Sequence, residues 1–423
     1  MKKSFPASLR RLSFLAGFVP AFAFAQGADL QPLPDYVFTA TRTPAALTTT
    51  GTAVDTLTAA ELARMQLGSL QSALRGIPGA PALASGAAGG VTSLFLRGAN
   101  SNQTLFLVDG IRFNDPNTDY AVALGGMCVS ACDSLEVAHG PQSTLYGGEA
   151  VGGVLSLRAQ RGAGAATETM SVEAGSFGTI QGAVHVQGGD RRAAYNFSAV
   201  GGRTENDRPN NTFTSATWAL RLDRTLGAKA AVGTTFRGFV GRYGSPGDRF
   251  TSDPDNAEKE TNLLATVFAD VAVSPVLDSR VVLGGQDRRF ESVNPGAFGT
   301  AVTQVRNRRT VLDWQNTLRA GGRHRLTAGL TAEANHTRNT GFGDIDESQQ
   351  LLAVFFQDEW TPVEHVFLTA GLRSDDHDTF GRAHTGRATA AWLSPASRWK
   401  LRATYGTAFR APGFLDLYGQ SSF

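Results

Sequence analysis

The feature that most constrains this chain is a long series of β-rich segments between about Thr167 and Phe409. Each runs for roughly ten to fifteen residues, and turn-formers such as Ser274-Pro275 and Ala320-Gly321-Gly322 separate one from the next. Outside the N-terminus no run of about 18 uninterrupted apolar residues occurs, so the sequence does not predict membrane-spanning helices. Alternating segments of this length are typical of a transmembrane antiparallel β-barrel. We count about thirteen of them.

A stretch from Val91 to Gly153 precedes these segments and has a different texture. Its short apolar runs end in a charged or aromatic residue followed by glycine, at Arg97-Gly98, Asp109-Gly110 and Tyr146-Gly147. Glycine takes positive φ at little cost and can reverse the chain there. The pattern predicts a compact small sheet with tight turns. Two short helices are expected upstream, one with capping-box spacing between Thr58 and Glu61, the other over residues 69–75.

Residues 1–25 have the composition of a secretory signal peptide. A basic start, an apolar stretch and the small-x-small end Ala23-Phe24-Ala25 follow one another. The segment holds four basic residues and no acidic one, so its removal changes the formal charge from +2 to −2. The sequence therefore predicts an exported protein without the basic footprint that nucleic-acid binding requires.

Two cysteines, Cys128 and Cys132, are separated by three residues. An exported protein meets an oxidising compartment, and we expect a local disulfide between them. No metal site is expected here, because neither this pair nor the nearby His139 completes a set of four ligands.

A β-rich segment follows a Pro- and Gly-containing stretch near the N-terminus. Its residues are Asp35, Tyr36, Val37, Phe38, Thr39, Ala40 and Thr41. High β-propensity between prolines suits a flexible segment that a partner sheet captures as an added strand. From the residues alone, an ordinary edge strand explains the segment equally well.

Several motifs, in this order, resemble the TonB-dependent outer-membrane receptor family. They are Ser93-x-Phe95-x-Arg97-Gly98-x-Asn100, Leu107 to Asn114, Gly140-Pro141-x-Ser143-x-Leu145-Tyr146-Gly147 and Phe409-Arg410-Ala411-Pro412. Within the family the resemblance is best to the cobalamin (corrinoid) receptors, on the series Arg373-Ser374-Asp375-Asp376.

The resemblance implies a barrel around an N-terminal α+β plug domain. Residues 26–46 are then a flexible segment that carries the TonB box, Asp35 to Thr41, residues 47–160 the plug, and residues 165–423 the barrel. Plugged transporters close with about 22 strands. An open set of about thirteen leaves two unpaired edges in lipid, so we expect the sequence to be truncated at its C-terminal end.

The resemblance also assigns roles to single residues. Substrate contacts are expected at the plug apices, at Val91, Ser93, Asn100, Thr118 and Asp119. Structural roles in the plug are expected for Arg97, Gly98, Asp109, Gly110, Gly140, Pro141, Tyr146, Gly147, Gly152 and Gly153.

The implied function is uptake of a scarce nutrient across the outer membrane of a Gram-negative bacterium. The substrate is a corrinoid, or alternatively a ferric siderophore; a passive porin or adhesin barrel is the alternative from another class. The implied partners are the TonB protein of the inner-membrane complex, the small-molecule substrate and the lipid bilayer. No catalysis is expected, since no Gly-x-Ser-x-Gly nucleophile elbow occurs. No cofactor is expected, although acidic outer loops such as 253–258 carry oxygen ligands of the kind that calcium takes.

Overall fold

The computed structural model describes residues 36–65, 69–84, 86, 88–117, 127–130, 132–248, 250–296, 299–341, 343–395 and 398–420. The predicted signal peptide, residues 1–25, lies outside these ranges. So do Asp35, the first residue of the predicted TonB box, and the predicted substrate residues Thr118 and Asp119.

Short strands and helices make up the first part of the chain, which we call the plug. The strands are β1 (Tyr36–Val37), β2 (Ala45–Ala46), β3 (Ala53–Leu57), β4 (Ala82–Ala84), β5 (Thr92–Leu94), β6 (Thr104–Val108), β7 (Ile111–Arg112), β8 (Asp133–His139) and β9 (Gly153–Ala159). The helices are α1 (Ala59–Arg64), α2 (Leu70–Arg75) and α3 (Ser143–Tyr146), with a 3₁₀ turn at Ser101–Gln103. Five strands form a mixed sheet in the order β3-β8-β9-β6-β7, and β1-β2 and β4-β5 are separate pairs.

The two helices that the sequence predicts upstream begin at their expected caps. Thr58 and Glu61 form a capping box, because the Thr58 amide donates to the Glu61 carboxylate at 2.8 Å and the Glu61 amide donates to Thr58 Oγ1 at 3.2 Å. The Ser72 amide donates to Ser69 Oγ at 3.1 Å at the start of α2. Local side-chain chemistry therefore sets both helix starts.

The core of the plug reaches the wall that surrounds it. Leu70 and Leu74 of α2 pack with Phe106 of β6 in one buried cluster, and the cluster also contains Leu264 and Val311 from the later strands. Burying apolar side chains is favourable by roughly 25 cal/mol per Å². One continuous apolar cluster thus joins the plug to the barrel strands.

Thirteen strands of the described chain form a single antiparallel sheet in which each strand pairs with the next in sequence. They are β10 (Gly164–Gly175), β11 (Thr179–Gly189), β12 (Ala193–Thr204), β13 (Phe213–Leu226), β14 (Ala230–Gly244), β15 (Ala257–Ala272), β16 (Leu277–Gly296), β17 (Gly299–Ala320), β18 (His324–Asn339), β19 (Ile345–Trp360), β20 (Val366–His377), β21 (Gly381–Leu393) and β22 (Lys400–Gly406). A fourth helix, α4 (Phe414–Tyr418), follows. The mainly β fold with a plug and a barrel sheet is confirmed, with the expected number of strands.

Side chains of the barrel strands alternate between the two faces of the sheet. On β17, Val311 and Gln315 are buried against the plug side, whereas Leu312, Trp314 and Leu318 are exposed on the other face. Several strands are longer than the sequence predicts; β17 has 22 residues. The added residues of β17 are paired with β16 as far as Gly299, so cross-strand hydrogen bonds extend the ladder beyond the predicted segment. None of the helices that the model describes is long and apolar enough to cross a membrane.

The two ends of the barrel sheet differ. At one end the connections are short, at residues 190–192, 227–229, 273–276, 321–323 and 361–365. We call this the short-turn end. Longer connections, residues 205–212 and 245–256, lie at the opposite, long-loop end. The connections at residues 176–178 and 378–380 of this end are short.

Candidate functional site

Arg237 of β14 ties the plug to the barrel through two carboxylates. Its Nε lies 2.9 Å from Asp109 Oδ2, and its Nη2 lies 2.7 Å from Asp133 Oδ1. All three side chains are almost fully buried. Burial would raise the pKa of Asp109, but the adjacent Arg237 charge outweighs it and holds the pKa below the usual value. Buried charges require partners of this kind, so these contacts fix the plug in the barrel.

A second group of contacts anchors the loop after β7. Arg288 of β16 pairs with Asp115 at 2.5 Å and with Glu260 at 2.7 Å. The side-chain amide of Asn117 donates to Asn307 Oδ1 at 2.5 Å and to Thr337 Oγ1 at 2.8 Å. Barrel side chains on three strands therefore hold this plug loop as far as Asn117.

Arg112 organises the plug around α3. It donates to the carbonyls of Gly148 and Tyr146 at 2.9 and 3.0 Å, and it pairs with Glu149 at 2.9 Å. Glu333 of β18 lies 3.6 Å from Arg112. Burial would lower the pKa of Arg112, but the two carboxylates raise it. The guanidinium stays charged and joins the turn after α3 to the barrel wall.

The predicted TonB box is docked on the plug over the part that the model describes. The Glu136 carboxylate oxygen Oε2 accepts three hydrogen bonds, from the Phe38 amide at 2.9 Å, the Thr39 amide at 2.9 Å and Thr39 Oγ1 at 2.7 Å. The guanidinium of Arg158 lies 4.1 Å from the centroid of the Phe38 ring. Val37 packs in a small cluster with Ala40, Val54 and Ala138.

Barrel side chains at the short-turn end also hold this segment. Arg42 pairs with Asp313 at 2.5 Å and stacks on Phe355, with 4.7 Å between Cζ and the ring centroid. Gln357 donates to the Thr41 carbonyl at 3.1 Å, and Arg387 donates to the Ala40 carbonyl at 3.0 Å. The sequence predicts that residues 26–46 are flexible. Residues 36–46 are instead packed, because the Glu136 carboxylate and these barrel donors satisfy their backbone polar groups.

A cavity of about 810 Å³ lies beside the docked segment at the short-turn end. Phe38, Thr39 and Arg42 form part of its wall, plug residues of β6, α3 and β9 form another part, and strands β13 to β18 form the rest. Its lining is rich in arginine. The cavity therefore places charged groups next to the predicted TonB box.

The predicted substrate residues that the model describes lie around β5. Ser93 is in β5 and Val91 just precedes it; both are partly buried, whereas Asn100 is exposed at the start of the 3₁₀ turn. The Leu94 amide donates to Ser101 Oγ at 3.3 Å, which holds the 3₁₀ turn beside β5. The neighbouring Ala88–Gly89 segment meets Asn206 and Phe213 at the long-loop end. The structure thus places Ser93 and Asn100 on two linked elements.

The predicted structural residues occupy turns and close approaches. Positive φ angles occur at Arg97, Gly98, Asp109, Gly110, Gly140, Gly147 and Gly153. A Cβ on Gly152 would lie 2.6 Å from the Ala99 Cβ, so only glycine fits there. Pro141 packs against Gly406 of β22, and the Tyr146 hydroxyl donates to the Thr39 carbonyl at 3.2 Å. Arg97 is exposed.

The expected disulfide is not formed in this structure. Cys128 and Cys132 are both free thiols. The Cys128 amide donates to Thr217 on β13 at 3.3 Å, while Cys132 Sγ lies 3.9 Å from the Asn196 carbonyl on β12. The two cysteines therefore contact different barrel strands. Burial raises the pKa of Cys128 to about 11, and burial with the nearby Asp133 raises that of Cys132 to about 12.

The acidic loop that suggested calcium makes hydrogen bonds of its own. Asp253 Oδ1 accepts from the amides of Asn256 and Asp255 at 3.0 and 3.3 Å. Within the described ranges, no group of three or more His, Cys, Asp or Glu side chains is arranged to hold a metal ion. The calcium expectation therefore remains a prediction without assigned ligands.

Sequence reasoning missed the barrel partners of the plug. Arg237, Arg288, Arg309, Asp313 and Glu333 are charged residues that point inward from strands. Their position in the two-residue alternation marks them as inward-facing. A charged residue at an inward-facing position indicates a buried partner, and this is the one signal that the sequence offers. Their partners lie far away in the sequence, so the pairing itself could not be read from local pattern.

Comparison with known proteins agrees with this geometry. The model of the TonB-dependent receptor plug domain matches residues 46–154, and that of the TonB-dependent receptor-like β-barrel matches residues 164–422. The chain is 25% identical over 384 residues to the vitamin B12 transporter BtuB of Photobacterium profundum. That alignment covers 87% of this chain and 61% of the relative, so the chain spans about three fifths of its length.

Solved structures share the fold. The siderophore receptor PirA from Pseudomonas aeruginosa has a TM-score of 0.68 at 18% identity, with 85% of this chain and 62% of that chain covered. P. aeruginosa FpvA bound to a heterologous pyoverdine has a TM-score of 0.71 at 14% identity, with 89% and 59% covered. At these identities the likeness concerns the fold alone. The two matched domains together show that this chain belongs to the TonB-dependent receptor family of the Gram-negative outer membrane.

Proposed function

We propose that the protein imports a scarce small molecule across the outer membrane and that TonB drives this import. The observation that carries the proposal is the docked segment Tyr36 to Thr41, which is held by Glu136 beside the short-turn end of the barrel. A short β-prone segment there suits capture as an added strand. Substrate binding at the opposite end would shift the population toward states in which this segment is released.

The plug supports active transport over a passive pore. Arg237 and Arg288 each bind two carboxylates, and in each case at least one belongs to the plug. Breaking a buried ion pair by removing one partner costs about 3–5 kcal/mol. A plug held in this way blocks free diffusion, so an energy input is required to move it.

We propose a corrinoid as the substrate, on the sequence similarity to the vitamin B12 transporter BtuB. The candidate contacts are Val91, Ser93 and Asn100, together with Thr118 and Asp119. A ferric siderophore is the second candidate, because the solved structures of similar fold include a siderophore receptor. The segment from Ala80 to Gly90 contains no aromatic residue and no arginine, which favours the corrinoid.

Titration of the purified protein in detergent with cyanocobalamin, and in parallel with a ferric siderophore, tests the substrate. We expect saturable cobalamin binding in the sub-micromolar range that Asn100→Ala weakens about tenfold. Asn316→Ala is the matched control, because Asn316 lies on the face of β17 opposite the buried Gln315. Binding of the siderophore but not of cobalamin would overturn the corrinoid and leave the transport mechanism in place.

A further inference from the structure

Seven basic residues line the cavity at the short-turn end, against four acidic ones. The basic residues are Arg42, Arg158, Arg221, Lys229, Arg280, Arg319 and Arg325, and the acidic ones are Asp109, Asp270, Asp278 and Asp313. Each of these four carboxylates already forms an ion pair with an arginine. The pairs are Asp109–Arg237, Asp270–Arg280, Asp278–Arg319 and Asp313–Arg42. The lining therefore carries an excess of positive charge.

Arg158 of β9 and Lys229 are the two basic residues of this lining that form no ion pair with a described residue, since Arg221 and Arg325 pair with Asp223 and Glu359 outside the lining. Within the described part of the chain, no carboxylate lies within ion-pair distance of the Arg158 guanidinium, which also donates no hydrogen bond. Its one ring contact is with Phe38 of the docked segment, at 4.1 Å. Guanidinium groups away from bulk water normally bind a carboxylate or phosphate through two parallel hydrogen bonds. The guanidinium of Arg158 therefore lacks the carboxylate or phosphate partner that a guanidinium away from bulk water usually has.

Two further arginines share this part of the cavity. Arg221 and Arg280 both lie over the ring of Phe268, at 5.2 and 4.9 Å from its centroid. Burial and repulsion by these two guanidinium groups lower the pKa of Arg158, although Glu136 partly offsets them. Arg221 and Arg280 have carboxylate partners in Asp223 and Asp270, so Arg158 is the guanidinium of the three that an added anion would neutralise.

We infer that this cavity binds an anionic group, a carboxylate or a phosphate, directly on Arg158, with Arg221 and Arg280 as its cationic surroundings. The inference goes beyond the proposed function, because the outer-face substrate contacts take no part in it. The anion is either part of the imported molecule or a free ion of the periplasm. The volume of about 810 Å³ accommodates either source.

Equilibrium dialysis of the purified protein against radiolabelled inorganic phosphate, and separately against labelled citrate, tests the site. We expect saturable binding of one of the two probes that weakens as sodium chloride is raised. Arg158→Gln lowers the affinity for the probe at least about tenfold. Arg158→Lys lowers it less, because lysine keeps the positive charge but cannot form bidentate hydrogen bonds. Arg280→Gln is a second variant that weakens binding without touching the Phe38 contact.

Arg319→Gln is the matched control, because Arg319 lines the same cavity but is half exposed and paired with Asp278. It is expected to bind the probe within about twofold of the unmodified protein. Absence of saturable binding, or equal binding by Arg158→Gln, overturns the inference. Neither result bears on the proposed coupling to TonB, because the assay contains no TonB.

An uptake assay distinguishes the two sources of the anion. The uptake assay uses Arg280→Gln, because Arg158 also contacts Phe38 of the docked segment. If the imported molecule carries the anion, Arg280→Gln slows uptake while surface binding of the substrate stays unchanged. If the anion is a free ion, Arg280→Gln weakens phosphate or citrate binding and uptake is unaffected. Both results require the site on Arg158.

Discussion

Thr39 donates two hydrogen bonds to a single oxygen of Glu136, one from its amide at 2.9 Å and one from its hydroxyl at 2.7 Å. The Phe38 amide donates a third, at 2.9 Å. A partner that adds this segment to its own sheet accepts hydrogen bonds from backbone amides of the same segment. Docking on Glu136 and capture by a partner therefore compete for the same donors.

Glu136→Gln is expected to loosen the docked segment. The amide keeps one acceptor oxygen but loses the charge, and hydrogen bonds to charged groups contribute about 1.5–3 kcal/mol each. We expect maleimide labelling of Ala40→Cys, a position buried in the docked state, to accelerate roughly tenfold or more. Cys128 and Cys132 are replaced by alanine in this experiment.

Glu61→Gln provides the control for that experiment, because Glu61 caps α1 and makes no contact with residues 36–41. Its labelling rate should match that of the unmodified protein. Equal labelling in the Glu136→Gln and Glu136 backgrounds would show that the carboxylate does not hold the segment.

Arg237→Gln is expected to destabilise the plug strongly. The substitution leaves Asp109 and Asp133 buried without their shared partner, at a cost of about 3–5 kcal/mol. A urea titration that follows protease sensitivity of the plug measures the loss. Adding Asp109→Asn should recover part of it, since one unpaired charge is then removed.

Arg319→Gln serves as the comparison for this titration, because its pair with Asp278 is about half exposed. Exposed pairs contribute about 0–1 kcal/mol, so a small change is expected. A plug that is as stable with Arg237→Gln as without it would contradict the assigned role of this arginine.

Both cysteines are expected to react slowly with maleimide in the native protein. The pKa of Cys128 rises from 9.0 to about 11, so at pH 8 its thiolate is about a hundredfold scarcer than in the unfolded chain. The pKa of Cys132 rises from 9.0 to about 12.

The folded protein therefore holds the two thiol protons more tightly than the unfolded chain does. Raising the pH above about 9 deprotonates the unfolded chain first and so lowers the stability of the plug.

A thiol titration checks this directly. Two free thiols should appear after denaturation without reductant, and labelling of the native protein should accelerate as the pH approaches 11. If denaturation releases no thiols, the disulfide that the sequence predicts is formed after all.

Local chemistry made much of the fold predictable. The capping box between Thr58 and Glu61 depends on residues three positions apart. The positive φ angles of Gly98, Gly110 and Gly147 follow from glycine after a charged or aromatic residue at a turn. The strand count follows from the alternation of inward and outward side chains, which pairing between consecutive strands preserves.

Long-range pairing was not predictable from one sequence. Arg237 and Asp109 are separated by 128 positions, and no local pattern links them. The docked state of Thr39 depends on Glu136, 97 positions later, so a segment with the composition of a flexible strand proves to be packed. The two cysteines are free thiols and contact Thr217 and Asn196, which are also distant in the sequence.

Binding of the periplasmic domain of TonB to the purified protein tests the central claim, that Tyr36 to Thr41 is captured as a strand. Val37→Ala keeps the backbone amide but removes buried contacts with Ala40 and Val54, so undocking becomes easier and binding should tighten severalfold. Val37→Pro also loosens docking, but it removes the amide and restricts the strand. Binding should then fall at least about tenfold. If Val37→Pro binds TonB as tightly as Val37→Ala does, strand capture of this segment is contradicted.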